Sequence, residues 1–294
     1  METPTAGAPL VLPEPPNRSA DELSVRRVLP TRHKRNVGPF VFFDHFGPAD
    51  VAAGGGINVR PHPHIGLSTV TYLLEGAILH RDSLGTEQVI TPGDLNWMTA
   101  GRGIVHSERM PIDPRQRSPR LHGLQIWVAL PLTDEECEPA FQHCPGHALP
   151  TWTEGDVKLR LLAGTVHGRA SPAITSIDLF YVEVKAERGS VIPWLGATHH
   201  ECAIYGLSGL LSVAGTPVPP GRLAILPDDR STLLRVEESG TWVIFGGAPL
   251  DAPRYLDWNF VSSSRERLEQ AKADWRAGRF PKVPGDDVEF IPLP

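Results

Sequence analysis

The sequence predicts an all-β protein made of two duplicated barrels and finished by a short C-terminal helix. Three observations carry that expectation. Proline (30) and glycine (28) are frequent and scattered over the 294 residues, which suits many short strands joined by sharp turns. The strand-like segments fall into two series separated by a polar stretch. The two series also overlay: Tyr72-Leu73-Leu74-Glu75-Gly76 matches Tyr205-Gly206-Leu207-Ser208-Gly209, and Pro92-Gly93-Asp94-Leu95 matches Pro220-Gly221-Arg222-Leu223.

Residues 1–20, rich in Pro, Thr and Ala, read as a flexible or extended N-terminal arm. The first barrel, residues 21–145, is expected to place strands over 24–29, 40–44, 68–74, 77–81, 87–91, 94–99, 103–109 and 121–130. Each is bounded by Gly, Pro, Asp or Asn. Residues 132–150 are polar and loop-like, and the domain junction is placed there. The second barrel, residues 146–260, is expected to place strands over 158–163, 176–184, 189–193, 202–207, 210–214, 222–226, 231–236 and 241–246. In the final segment, 261–294, Ser263 and Glu266 fit a capping box, in which the two side chains satisfy each other's orphan backbone N–H groups. Leu268, Ala271 and Trp275 follow at helical spacing, Gly278 stands just past the end, and a proline-punctuated tail closes the chain.

Composition excludes several function classes. A net charge of −6 gives no electrostatic footprint for nucleic acid or an anionic membrane. No stretch reaches the roughly 18–20 apolar residues that span a bilayer, and no basic segment precedes an apolar run at the N-terminus. Cys137, Cys144 and Cys202 are odd in number and match no zinc spacing, so free thiols in a reducing compartment are expected. A cytoplasmic protein is the reading. Duplication supplies two barrels within one chain, so a monomer is expected.

Two ligand pairs carry the chemistry: His62-Pro63-His64 and His106-Ser107-Glu108. Side chains two residues apart on a strand project the same way. Two such strands side by side would converge three imidazoles and a carboxylate on one point, a donor set suited to a first-row transition metal. Spacing alone leaves iron, nickel, copper, manganese, cobalt and zinc open.

The overlay tests this. At an offset of 133, His62 and His64 fall on Leu195 and Ala197; at an offset of 128, His106 and Glu108 fall on Leu234 and Val236. All four become apolar, as a barrel filled by hydrocarbon requires. Buried polar groups without partners are costly, so the first copy must keep its four for a reason. His199-His200-Glu201 also looks metal-like but is out of register with the ligand positions, and adjacent strand residues face opposite sides. It is read as no metal site. Trp97, Met98, Gln125 and Trp127 lie in strands of the first barrel and read as core ahead of substrate contact. His80, Arg81 and Asp82 read as a solvated hairpin, while Asp44 and His45 stand open between orienting a metal-bound imidazole and a plain surface hydrogen bond.

The stretch Arg60-Pro61-His62-Pro63-His64 through Thr69-Val70-Thr71-Tyr72-Leu73-Leu74-Glu75-Gly76, with His80-Arg81-Asp82-Ser83-Leu84-Gly85, resembles the pirin family of the cupin superfamily. Gly101-Arg102-Gly103-Ile104-Val105-His106-Ser107-Glu108 is similar to its second motif, Gly38-Pro39-Phe40 with Asp44-His45-Phe46-Gly47 to its opening motif, and Leu121-His122-Gly123-Leu124-Gln125-Ile126-Trp127-Val128 to a further family stretch. The resemblance implies a bicupin whose N-terminal barrel binds one metal, usually iron, through His62, His64, His106 and Glu108. It also implies an oxidoreductase: several members cleave the flavonol quercetin with dioxygen. Others act as regulators that sense iron redox state through protein–protein binding. The chain departs from common family wording at Ile65-Gly66-Leu67-Ser68, where many members carry Arg and Glu; substrate preference is what that departure touches.

On these grounds the leading expectation is a metal-dependent dioxygenase, with Fe(II) as the metal and a small aromatic chelating substrate and O2 as partners. Glu108 is expected to act as a general base toward the substrate hydroxyl. An iron-dependent redox-sensing regulatory protein, working through a protein partner, is the alternative. Direct nucleic-acid binding and membrane association are not expected.

Overall fold

The computed structural model describes residues 8–20, 23–51, 57–113 and 120–294; the first seven residues of the expected arm lie outside the described residues. The described residues are mostly β-strand with one α-helix near the C-terminus, and the chain divides into two compact units. Neither is one continuous segment. One comprises Asn17–Arg27, Phe42–Gly146 and Leu250–Pro294; the other comprises the segment ending at Pro16, Val28–Val41 and His147–Pro249.

The unit that carries the two ligand pairs is built mainly from two sheets, with a two-stranded ribbon of Tyr255–Asp257 and Phe260–Ser262 beside them. The smaller has the order Asn58–His64, Ile104–Arg109, Ile78–Asp82, Glu87–Ile90. The larger runs Ala140–Cys144, Leu95–Thr99, Leu67–Glu75, Arg120–Ala129, Phe40–Asp50, Leu23–Leu29, Asn17–Ala20. Phe46, Leu73 and Leu121 of the larger sheet pack on Ile78 and Ile90 of the smaller, so the sheets cover each other's apolar faces. The expected loop over 132–150 is not all loop. Ala140–Cys144 is a strand registered against Leu95–Thr99, with Phe141 opposite Met98 and His143 opposite Asn96. Its sequence, Ala-Phe-Gln-His-Cys, lacks the alternation of a half-buried strand, so the surrounding polar residues hid it.

The Leu250–Pro294 segment seals this unit. Ile65 pairs with Phe260 and accepts a hydrogen bond from the Val261 N–H at 3.2 Å. Gly66 sits at φ +67, and a β-carbon there would lie 2.0 Å from the Val261 carbonyl oxygen. Only glycine allows that approach. The helix Arg265–Arg276 buries Leu268 and Ala271. Its N-cap is Ser264, whose side chain accepts from the Arg267 N–H, one residue later than the capping box predicts. Ser263 is instead committed to Glu135, donating both its N–H (2.9 Å) and its hydroxyl (2.8 Å). Gly278, at φ +67, stands past the C-cap Ala277, as its position suggests.

The second unit is one ten-stranded sheet whose main path runs Leu10–Val11, Leu223–Ile225, Glu201–Val213, Leu234–Gly247, Leu179–Ala186, Val157–Val166, Thr151–Glu154. Two pairs of expected strands are each continuous. Glu201–Val213 runs through Ser208-Gly209, and Leu234–Gly247 through Ser239-Gly240, because register shifts let the turn-like residues serve as bulges instead of chain reversals. The described part of the arm is pinned: Leu10–Val11 pairs with Ala224–Ile225, and buried Leu12 donates its N–H to the Leu223 carbonyl at 2.8 Å.

The interior of this unit is hydrocarbon. Leu195, Leu234 and Val236 are all in its core cluster, but Ala197 is only half-buried and outside it. Pairing also corrects the overlay. His106 stands opposite His62, and Leu234 stands opposite Ile192. With Leu234 in the place of His106, buried Ile192 takes the place of His62, three residues before Leu195. Short ungapped blocks could not register that shift.

Candidate metal centre

His62 and His64 share one face of the strand Asn58–His64, and antiparallel pairing sets His106 directly opposite His62. The three side chains are buried, and their ligand nitrogens lie within 4.8 Å of one another. The Nε2 atoms of His64 and His106 are 3.1 Å apart. Each ring is oriented from behind. His62 Nδ1 donates to the Arg60 carbonyl at 2.9 Å, and His64 Nδ1 donates to the Asn259 carbonyl at 3.0 Å. A carbonyl only accepts, so both Nδ1 atoms carry the proton and both Nε2 lone pairs point inward.

Burial also keeps these rings uncharged. It lowers the His62 pKa to about 4, outweighing the raising effect of the Arg60 carbonyl, and it holds His64 and His106 well below the ordinary histidine value. Neutral imidazoles with converging lone pairs repel one another unless a cation lies between them, and this donor set fits a transition metal.

Glu108 is near but not among the converging ligand atoms. It is buried on the same strand, past a register shift between His106 and Glu108 that re-aims the side chain. Its Oε1 accepts from the Thr71 hydroxyl at 3.4 Å, and Thr71 also meets Gln125 at 2.8 Å. Burial raises the Glu108 pKa, outweighing the nearby His80 and the Thr71 hydrogen bond.

Several sequence readings change here. His80 and Asp82 are buried, not a solvated hairpin. His80 Nε2 lies 3.1 Å from Asp82 Oδ2, and its Nδ1 lies 3.4 Å from His106 Nδ1. The signal was available, because His80 and Asp82 repeat the two-residue spacing of the ligand pairs. Trp127 stacks on Phe42 at 3.9 Å and sets an edge against His64 at 5.1 Å, so it walls the centre. Gln125 shares its face with Trp127, while Met98 packs with Ala100, Ile104 and Phe141. Trp97 lies on the opposite face of its strand, in the core. Asp44 forms an ion pair with Arg27, and His45 meets Arg26 and His122. The residues that depart from family wording are packing groups: Ile65 and Leu67 are fully buried, and Ser68 meets Thr99 at 3.1 Å. Asn259, Thr71 and Phe42 were missed altogether.

A second cluster lies in the other unit. His199 and His200 occupy a turn, not a strand, and both reach Asp178 Oδ2, at 2.8 and 2.9 Å. Glu201 turns away to Lys34 and the Gly38 N–H. Here the Ala197 N–H donates to His200 Nδ1 at 3.2 Å, so the proton of a neutral His200 sits on Nε2 and is spent on Asp178. That ring offers a metal no lone pair while both bonds stand.

The folds and the buried histidine triad together define a two-domain cupin with one ligand-rich unit. The family model described as Pirin matches residues 22–128, and the Pirin C-terminal cupin domain matches residues 181–281. The chain belongs to the pirin family. A pirin-like protein of Caulobacter vibrioides is 47% identical over 273 residues, covering 92% of this chain and 94% of its own. A Pseudomonas aeruginosa relative, provisionally named a quercetin 2,3-dioxygenase, is 38% identical over 92% of this chain and 86% of its own. The crystal structure of quercetin 2,3-dioxygenase from Acinetobacter baumannii superposes with a TM-score of 0.87 at 32% identity, covering 97% of this chain and 95% of that one.

Proposed function

We propose that this pirin is a metal-dependent dioxygenase of the quercetin 2,3-dioxygenase type. The observation that carries the reading is the convergence of three neutral, back-oriented imidazoles in a buried, aromatic-walled site, in a chain similar to proteins named for that activity. His62, His64 and His106 would hold the metal, with Glu108 as a fourth group; Fe(II) is the metal we assign, and nickel, copper, manganese, cobalt and zinc suit the same donors. When bound, the metal supplies a positive, Lewis-acidic centre for an anionic oxygen pair.

The chain's own residues do the rest. Glu108 is poised as a general base: burial strengthens its hold on a proton, and the Thr71 hydroxyl steadies one oxygen. Trp127, backed by the stacked Phe42 ring, sets an apolar wall against His64 and keeps water from it. Gln125 and Thr71 supply polar contacts on the same face. No described helix is long and apolar enough to cross a membrane.

The test is oxygen uptake and carbon monoxide release by Fe(II)-loaded protein with quercetin and a panel of related flavonols. Coupled consumption and release are expected. Absence of both across the panel would remove the assignment.

A further inference from the structure

We propose that Asp82 and His80 are positioning residues that fix the tautomer of His106 and so set how firmly the centre holds its metal. This rests on His106 being a ligand. Of the three converging histidines, His62 and His64 are each oriented by a backbone carbonyl, whereas the Nδ1 of His106 faces another imidazole at 3.4 Å. Imidazole can donate or accept, so the proton on His106 is decided one step further back.

Asp82 decides it. Its Oδ1 accepts the backbone N–H groups of Leu84 (2.9 Å) and Thr86 (3.1 Å), which leaves Oδ2 for His80 Nε2 at 3.1 Å. A carboxylate only accepts, so His80 carries its proton on Nε2. With that proton spent on Asp82, the Nδ1 of His80 is the atom that faces His106. A metal on His106 Nε2 leaves the His106 proton on Nδ1, and His80 Nδ1 is the acceptor that proton faces. The relay is held in register by the strand pair, where Asp82 stands opposite His106 and His80 opposite Glu108. Ring flipping is resisted because His80 stacks on Phe141 at 4.4 Å with an interplanar angle of 20°. Partners behind a ligating histidine typically govern metal affinity by about 10- to 100-fold. Here the carboxylate acts through an interposed imidazole.

Asp82→Asn is the informative substitution. Asparagine keeps an acceptor for Leu84 and Thr86 but turns an N–H donor toward His80 Nε2. His80 then carries its proton on Nδ1 and turns a donor toward His106 Nδ1, which disfavours the Nδ1-protonated His106 that a metal on Nε2 requires. Expected results are a cobalt(II) or zinc(II) affinity weakened about 10- to 100-fold in competition with a chelator. Nitrogen-15 spectra should assign the His80 proton to Nε2 in wild type and to Nδ1 in Asp82→Asn. His80→Phe, which removes the relay, should lose affinity to a similar degree. A wild-type His80 protonated at Nδ1 alone overturns the proposal with no variant needed, and so does wild-type affinity in both variants. His106→Ala separates the two levels: if it binds metal as wild type does, the ligand assignment fails. If it loses the metal while Asp82→Asn keeps it, only the relay fails.

Discussion

A histidine binds a metal through one nitrogen only when the other carries its proton, and that rule separates the two histidine clusters. At His62 and His64 a carbonyl holds the outer proton, whereas at His200 a backbone N–H occupies the outer nitrogen. Sequence spacing could find both clusters but not this difference, because the deciding partners are backbone atoms of Arg60, Asn259 and Ala197. Glu108 is the residue on which turnover should depend. Glu108→Gln keeps its shape but cannot take a proton, and it is expected to lower flavonol turnover by about 100- to 10,000-fold in steady-state assays. A second residue-scale effect concerns acid. Burial, then the Arg26 guanidinium and His122, push the His45 pKa down from 6.5 to about 2. Between those values the unfolded chain binds a proton that the folded chain refuses, so stability falls as pH drops below 6.5. At pH 5.5 this one group costs on the order of 1 kcal/mol. Denaturant midpoints at pH 7.5 and 5.5 should therefore differ less in His45→Asn than in wild type.

At the scale of elements, the strands that alternate cleanly were legible and those that bend were not. The segments 68–74, 87–91 and 94–99 match observed strands to within a residue or two, because Gly, Asp or Pro marks their ends. Glu201–Val213 and Leu234–Gly247 were each split at a Ser-Gly pair, since a bulge and a turn call for the same residues. The His62/His64 strand was legible from its ligands alone, not from apolar alternation. What no local pattern could reveal is the contact of the Ile65-Gly66 turn with 259–261, nearly two hundred residues on. That contact gives a prediction. Gly66→Ala sets a methyl against the Val261 carbonyl at positive φ, and should destabilise the fold by about 1–3 kcal/mol in chemical denaturation. Because Asn259 orients His64, metal affinity should fall with it.

Over the whole molecule, the duplicated halves have diverged in what they bury. One interior holds Thr71, His80, Asp82, His106 and Glu108, which only partners can make tolerable. The other holds Leu195, Ile192, Leu234 and Val236 and needs none. The sequence carried that asymmetry through its two overlaid series, missing the first pair by three positions. A metal that binds only the folded chain must stabilise it: at a free concentration about 100 times Kd the gain is about 2.7 kcal/mol. Thermal unfolding should accordingly shift upward on metal addition and return on chelation. The most direct measurement is elemental analysis of purified wild type, His106→Ala and His199→Ala. One transition-metal ion per chain is predicted in wild type and His199→Ala and none in His106→Ala; a full equivalent retained by His106→Ala, or its loss from His199→Ala, would place the metal elsewhere and contradict the assignment.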